Sequence, residues 1–424
     1  MQPIAKTFIS ALLCTLLTLP TFAETVTVSK PEDAGISSER LKRIDPVVQS
    51  HIAAKDLAGA VTLVARKGKV VHFAAHGSTD FEANKPMRTD TLFRMASMTK
   101  PITAVAVLML MEEGKLMLSD PVSKFIPEFK DPKVAMWNLP NDARGAGVRL
   151  ATADREVTLQ HILTHTAGLA VSTDGPAGEY YRAANLTQGR ISLDEYSKRA
   201  GALPLNFQPG TQWQYTSTVG FAVLGRVVEI VSGLNLDQFF KQRIFTPLGM
   251  NNTFFNIPAN RMSDVAPVYT RNGQNLVKQN PAPPPPPGVE FYSGAGGLTG
   301  TAEDYLQFCQ MLLNGGQWNG ARILSRKSVE LMTDNAIGNL DLRNYPEPGQ
   351  NLSGYGFGLG VRVRKSTGAS GWLGSVGDYG WAGANGTYFW IDPKEQLIGI
   401  VLMATRVGRL RTEFPNTVYQ AIVD

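Results

Sequence analysis

Ser97 and Lys100 are the two side chains in this sequence whose types and spacing most directly suggest chemistry. A serine hydroxyl is a poor nucleophile until a base takes its proton. A lysine amine is such a base only when uncharged, which its reference pKa of roughly 10.4 makes rare in water. The pair sits in Phe93-Arg94-Met95-Ala96-Ser97-Met98-Thr99-Lys100-Pro101, and the run that follows, Ile102 to Met111, is apolar nearly all round. A helix of that pattern is buried. Pro101 is tolerated only in a first helical turn, so the helix is predicted to start near Ser97. Residues three apart then share a face. Burial and the positive end of the helix both disfavour an ammonium, and the same helix start can aim the Ser97 N–H at a developing oxyanion. The S-x-x-K tetrad occurs once in the chain, but a serine cap followed by a solvated lysine fits the spacing equally well.

Other chemistries find less support. A Ser-His-Asp hydrolase of the G-x-S-x-G type needs two flanking glycines, and Gly374-Ser375-Val376-Gly377 has Leu373 where the first would be. His161 and His165 are four apart on a predicted helix, a zinc-compatible spacing. Position 162 is isoleucine rather than glutamate and no third ligand is evident, so structural histidines and no metal are expected. Gly294 to Gly300 lacks the lysine of a phosphate-binding loop and reads as a tight turn, and no cofactor is expected. Cys309 lies in the helical stretch from Tyr305 to Leu313 and reads as a small buried residue rather than a nucleophile.

The elements that must position Ser97 and Lys100 fall into a pattern. Ser38 to His51 reads as an amphipathic helix capped by Ser38. Gly59 to Ala65 and Val70 to Ala75 form a predicted hairpin around Arg66-Lys67-Gly68-Lys69. Near the other end, Gly358 to Arg364, Gly386 to Ile391 and Leu397 to Ala404 read as strands. Asp392-Pro393-Lys394-Glu395 turns between the last two, and Arg411 to Val423 is a closing helix. The middle is mostly helical. The simplest architecture is an α/β (α+β) fold: one antiparallel sheet from both termini, about 24–90 and 320–424, with a mainly helical lobe, about 91–319, inserted between them. Pro281 to Pro287, nearly all proline, reads as an extended surface loop.

Composition agrees with a large globular protein. The chain has 424 residues, 43% hydrophobic and 18% charged, with a formal net charge of +5 that is scattered rather than blocked. Nucleic-acid binding is therefore not expected. Lys6, the apolar run Phe8 to Leu19, and Pro20 to Ala23 read as a secretory signal peptide cut after Ala23. A dozen apolar residues is short for a bilayer span, so a mature protein of residues 24–424 without an integral membrane segment, periplasmic or secreted, is expected. Its oligomeric state is left open. Removal of Cys14 leaves Cys309 alone, which excludes an intrachain disulfide.

With these residues in hand, the chain resembles the serine β-lactamase and penicillin-binding-protein superfamily, most nearly its class C-like branch with the family VIII carboxylesterases. That group uses S-x-x-K, then a Tyr-x-Asn or Ser-x-Asn element, then Lys-Thr-Gly on a strand beside the nucleophile. Leu163-Thr-His-Thr-Ala-Gly-Leu169, Pro247-Leu-Gly-Met250 and Gly296-Gly-Leu-Thr-Gly-Thr-Ala302 stand in the family's order. The resemblance implies a β-lactamase/transpeptidase-like fold, with Ser97, Lys100 and Tyr215 as catalytic residues. It implies Ser217 in the usual Asn place, and Trp381-Ala382-Gly383 at the Lys-Thr-Gly place, so that Trp381, Gly383 and Ser217 face the substrate. The backbone N–H groups of Ser97 and Ala384 would form the oxyanion hole. Lys365-Ser366-Thr367-Gly368 is a competing near-match with the wrong spacing. Tryptophan has no charge to offer a substrate carboxylate, so short-chain or apolar carboxylic esters are the expected substrates. The alternatives are a β-lactamase or D-amino-acid peptidase acting on cell-wall material, and a non-catalytic cell-wall binding protein that kept the scaffold.

Overall fold

A computed structural model describes residues 26–424 apart from 139–146, 171–174, 187–189, 274, 281–284, 343–344 and 346–351. The leader-like segment, and residues 281–284 of the proline run, lie outside the described residues.

Eight strands form one antiparallel sheet. In chain order they are β1 (Gly59–Arg66), β2 (Lys69–Asp80), β3 (Lys85–Pro86), β4 (Tyr355–Phe357), β5 (Arg362–Arg364), β6 (Tyr379–Ala382), β7 (Tyr388–Asp392) and β8 (Leu397–Met403). Their order across the sheet is β4-β5-β6-β7-β8-β1-β2-β3. The N-terminal and C-terminal hairpins therefore join at β1 and β8, with Ala60 opposite Met403 and Arg66 opposite Leu397. This is the α/β arrangement expected, and its strands explain their own sequences. β1 is buried along its whole length because both faces are covered. Val61, Leu63 and Ala65 join the large core on the helical side. Ala60 and Val64 alternate to the other face, where they pack with residues of α1 (Ile44–Ala53) and α5 (Leu410–Tyr419). A strand buried on both faces reads as a continuous apolar run, as Leu397-Ile-Gly-Ile-Val-Leu-Met403 does.

The helical side is built around α2 (Thr99–Glu112), whose residues from Thr99 to Leu110 are all buried. Burying each aliphatic side chain there contributes about 1.5–3 kcal/mol against leaving it in water. α3 (Val219–Ser232) packs beside α2, and α4 (Ala302–Leu313) packs on the sheet through residues such as Phe308 and Leu312. Cys309, within α4, is fully buried and its thiol is pushed well above the usual range by burial.

Several boundaries differ from the sequence reading. The first helix is split into Ser38–Leu41 and Ile44–Ala53, and its cap is Ser37, whose side chain accepts from the Arg40 N–H. A strand does not begin at Gly358. Gly358 donates to the Val361 carbonyl in a turn, and Gly360 takes a φ of 81° against α2, so β5 starts only at Arg362. β4 and β6 are too short and glycine-interrupted to show a clear period, and only the family resemblance, which sets Trp381-Ala382-Gly383 on a strand, anticipates β6. The closing helix ends at Tyr419 rather than Val423. Among the described residues no single helix is long and apolar enough to cross a membrane.

Candidate active site

Ser97 lies in a tight 3-10 turn, Ala96–Met98, one step before α2 proper. The turn is hung between two anchors. Phe93 and Arg94 pair with Gly300 and Thr299, and the Met95 N–H donates to the Leu298 carbonyl at 2.8 Å. Ala96 takes a left-handed φ of 46°. That conformation costs a residue with a Cβ about 1–2 kcal/mol, and the strain falls on the peptide that presents Ser97. Lys100 follows in the first turn of α2, and Pro101 behind it gives up an N–H that the helix start has no use for.

Lys100 is 0% exposed. Its Nζ lies 2.6 Å from the Ser217 carbonyl oxygen, 2.7 Å from that of Ala295 and 3.1 Å from Ser97 Oγ. The rings of Tyr215 and Phe221 stand 5.2 and 5.7 Å from it. Burial holds the amine well below its ordinary pKa. Carbonyl oxygens can only accept. In its neutral form, which burial favours, the amine has two hydrogens for the Ser217 and Ala295 carbonyls and a lone pair for Ser97 Oγ. Tyr215 donates its phenolic O–H to the same Oγ at 2.7 Å. Ser97, Lys100 and Tyr215 thus form one hydrogen-bonded cluster across 118 residues of sequence.

Tyr215 stands in an irregular segment just before α3 and is held by His165. The Thr216 N–H donates to His165 Nδ1 at 3.3 Å, and the Gln214 N–H to the His165 carbonyl at 3.0 Å. The His165 ring lies 4.7 Å from that of Tyr215. Burial holds His165 well below the usual imidazole pKa, so it is neutral. His161 instead accepts from the Thr158 N–H as a helix cap. Both histidines therefore serve the backbone. Asp45, His72 and His76 bring ligand atoms within 4.8 Å on the far side of the sheet. There both imidazole Nε2 atoms bond the Thr62 hydroxyl, at 2.7 and 2.8 Å.

The third wall is β6 and the turn after it. Trp381 is buried, with its ring 5.2 Å from Tyr215, 5.4 Å from Tyr345 and 5.1 Å from Phe357. Gly383 presses on the nucleophile turn so closely that a Cβ there would fall 2.3 Å from the Met95 carbonyl. Ala384 follows, exposed at the turn. Among the described residues neither the Ser97 nor the Ala384 backbone N–H donates to the protein, which leaves both free to face a substrate oxygen. Ser217 departs from expectation in how it takes part. Its carbonyl binds Lys100, while its side chain is exposed at the rim of a cavity of about 330 Å³ lined also by Tyr181, Tyr196 and Val219. The sequence reading missed the Ala295 carbonyl, supplied by the glycine-rich turn at 294–297. Only the clustering of small residues there, which lets the backbone approach a side chain, could have pointed to it.

This fold and this buried cluster define a serine hydrolase of the β-lactamase/transpeptidase type. The chain belongs to the Beta-lactamase family, whose profile matches residues 44–423. A Mycobacterium tuberculosis protein is 36% identical over 355 residues, covering 82% of this chain and 86% of its own. Esterase EstB of Burkholderia gladioli is 35% identical over 285 residues, 62% of this chain and 68% of that protein. Among solved structures, EstCE1, a hydrolase with promiscuous acyltransferase activity, superposes with a TM-score of 0.73 at 26% identity over 91% of this chain and 99% of its own. Simvastatin synthase (LovD) from Aspergillus terreus shares the fold, with a TM-score of 0.75 at 22% identity over 91% of this chain and 98% of its own.

Proposed function

We propose that this protein hydrolyses carboxylic esters with short or apolar acyl groups through an acyl-enzyme on Ser97. The observation that carries the reading is the Lys100 amine, fully buried, within hydrogen-bond distance of the Ser217 and Ala295 carbonyls and of the Ser97 hydroxyl, with no described carboxylate paired to it. Lys100 takes the Ser97 proton as Oγ attacks the ester carbon, and the Ser97 and Ala384 N–H groups receive the oxyanion. Tyr215 gives its proton to the departing alkoxide and regains one from Lys100. Water then attacks the acyl-enzyme with the same groups in reverse and releases the acid. Trp381 in place of a cation, together with the relatedness to EstB and EstCE1, favours neutral esters over anionic lactams or peptides. Action in the periplasm or outside the cell belongs to the same proposal and rests on the leader-like residues 1–23.

The test is a substrate panel on the mature protein. Nitrophenyl esters of short acids should be turned over, a chromogenic cephalosporin much more slowly, and Ser97→Ala should abolish both. Ester turnover that survives Ser97→Ala would falsify the mechanism. A cephalosporin rate above the ester rate would select the lactamase alternative. Failure of a fluorophosphonate to label Ser97 would select a non-catalytic scaffold.

A further inference from the structure

We infer that Arg411 is a positioning residue for the oxyanion hole, holding and polarising the peptide whose N–H is the second oxyanion donor. The inference rests on the esterase reading above and goes beyond it. Arg411 enters from α5, at the far end of the chain, and is 1% exposed. Its Nη2 donates to the Gly383 carbonyl at 2.5 Å and approaches the Thr387 carbonyl at 3.4 Å. The Gly383 carbonyl and the Ala384 N–H belong to one peptide unit. In a trans peptide the two point in opposite directions, and no cis bond occurs among the described residues. Fixing the carbonyl inward on a buried guanidinium therefore fixes the N–H outward, on the side where Ala384 is exposed.

The rest of the turn is braced to the same end. The Gly383 carbonyl also accepts from the Gly386 N–H at 3.0 Å, and the Gly383 N–H donates to the Thr387 carbonyl at 2.8 Å. The Thr387 hydroxyl donates to the Met95 carbonyl at 3.1 Å, two residues before Ser97. The two oxyanion donors are thus linked through one hydrogen bond, and the linked unit is fixed to α5 by Arg411. A charge-assisted hydrogen bond to a carbonyl is stronger than a neutral one, and it polarises the amide so that its N–H donates more strongly. A neutral side chain at 411 would leave the turn closed by its own backbone bonds but would remove both the polarisation and the outer anchor.

The experiment compares Arg411→Met and Arg411→Lys with the wild type on an ester and on its thionoester, whose sulfur accepts hydrogen bonds poorly. Deleting an oxyanion donor outright costs about 10²–10³ in kcat, so weakening one should cost ~10-fold or somewhat more. For Arg411→Met, kcat on the ester should fall with KM nearly unchanged, and the preference for oxygen over sulfur should narrow. Arg411→Lys keeps a charge near the carbonyl and should lose less, with a smaller narrowing. A folded variant with wild-type kcat, or one equally slowed on both substrates, overturns the inference, because a structural defect would not distinguish oxygen from sulfur. If Arg411→Met does not fold, Arg411→Lys decides by the same ratio. Ser97→Ala, run alongside, separates the two levels. Surviving ester turnover there sinks the esterase mechanism, whereas a dead Ser97→Ala with unaltered Arg411 variants sinks only this inference.

Discussion

Arg364 and Lys100 are both buried under similar aromatic cover, and their fates differ. Arg364, on β5, lies beneath Tyr355 and Trp372, with ring distances of 4.9 and 5.6 Å. Lys100, on α2, lies beneath Tyr215 and Phe221 at 5.2 and 5.7 Å. Arg364 meets the carboxylate of Asp378 at 2.6 Å, and its other donors reach the Ser370 hydroxyl and the Trp372 and Leu373 carbonyls. Lys100 meets two carbonyls and one hydroxyl, and no described carboxylate pairs with it. A guanidinium cannot give up its proton in a protein, so the buried charge of Arg364 stays and is met here by a counter-charge. An amine can give up its proton, and burial without a counter-charge makes it do so. The first arrangement ties β5 to the segment before β6, and the second, in the mechanism proposed above, supplies the base.

The comparison breaks first at Lys100. Lys100→Met and Lys100→Arg should each cut kcat by about 10²–10⁴, the usual worth of a general base, because neither supplies a lone pair to Ser97. The arginine variant is the sharper of the two. If it kept substantial activity, a cation rather than a base would be what Ser97 needs. Arg364→Met should do the opposite. Removing one partner of a buried ion pair costs about 3–5 kcal/mol, since Asp378 is left uncompensated. Chemical denaturation should show that loss, while kcat per folded molecule stays near wild type. A large kcat loss with stability intact would mean that the two regions are not separable.

Acid titration tests the same contrast without a mutation. The free amine is the working form, so kcat/KM should fall as pH drops through the lowered pKa of Lys100. Stability should move in the same direction. Between that lowered value and the ordinary 10.5 of lysine, the unfolded chain binds a proton that the folded chain does not, so stability rises with pH across this window. Lys100→Met should flatten that slope in denaturation curves measured at a series of pH values. An unchanged slope would mean that Lys100 is charged in the folded protein.

How far each region could be read from sequence follows from the range of its interactions. Ser97, Lys100 and their helix are local: a tetrad, a proline and an apolar run lie within fifteen residues, and their spacing alone predicts a shared face. Tyr215 and Trp381 could be placed only by family resemblance, since nothing near them announces a partner 118 or more residues away. The Ser217 and Ala295 carbonyls were invisible because any residue carries a carbonyl, and only the fold decides which ones meet Lys100. Arg411 looked like an ordinary helix residue for the same reason. On the sheet, β1, β2 and β8 were legible from length and apolar content. β4 and β6, at three and four residues, owe their state to neighbours in the sheet rather than to their own pattern.

The smallest effect expected is also the one that bears most on substrate choice. Trp381→Lys would set a second cation-capable side chain against Tyr215, whose ring covers Lys100. Two outcomes follow from the electrostatics. The added charge disfavours protonation of Lys100, so the acid limb of the pH profile should move to lower pH. A cation at the strand edge should also attract anionic substrates, raising cephalosporin turnover relative to a neutral ester. Loss of the indole from its contacts with Tyr215, Tyr345 and Phe357 should slow ester cleavage, by about tenfold if the lost packing is worth ~1.4 kcal/mol. If the acid limb instead moved to higher pH, the new side chain would be stabilising a charged Lys100, and the distinction between a buried base and a buried ion would fail at the residue meant to exemplify it.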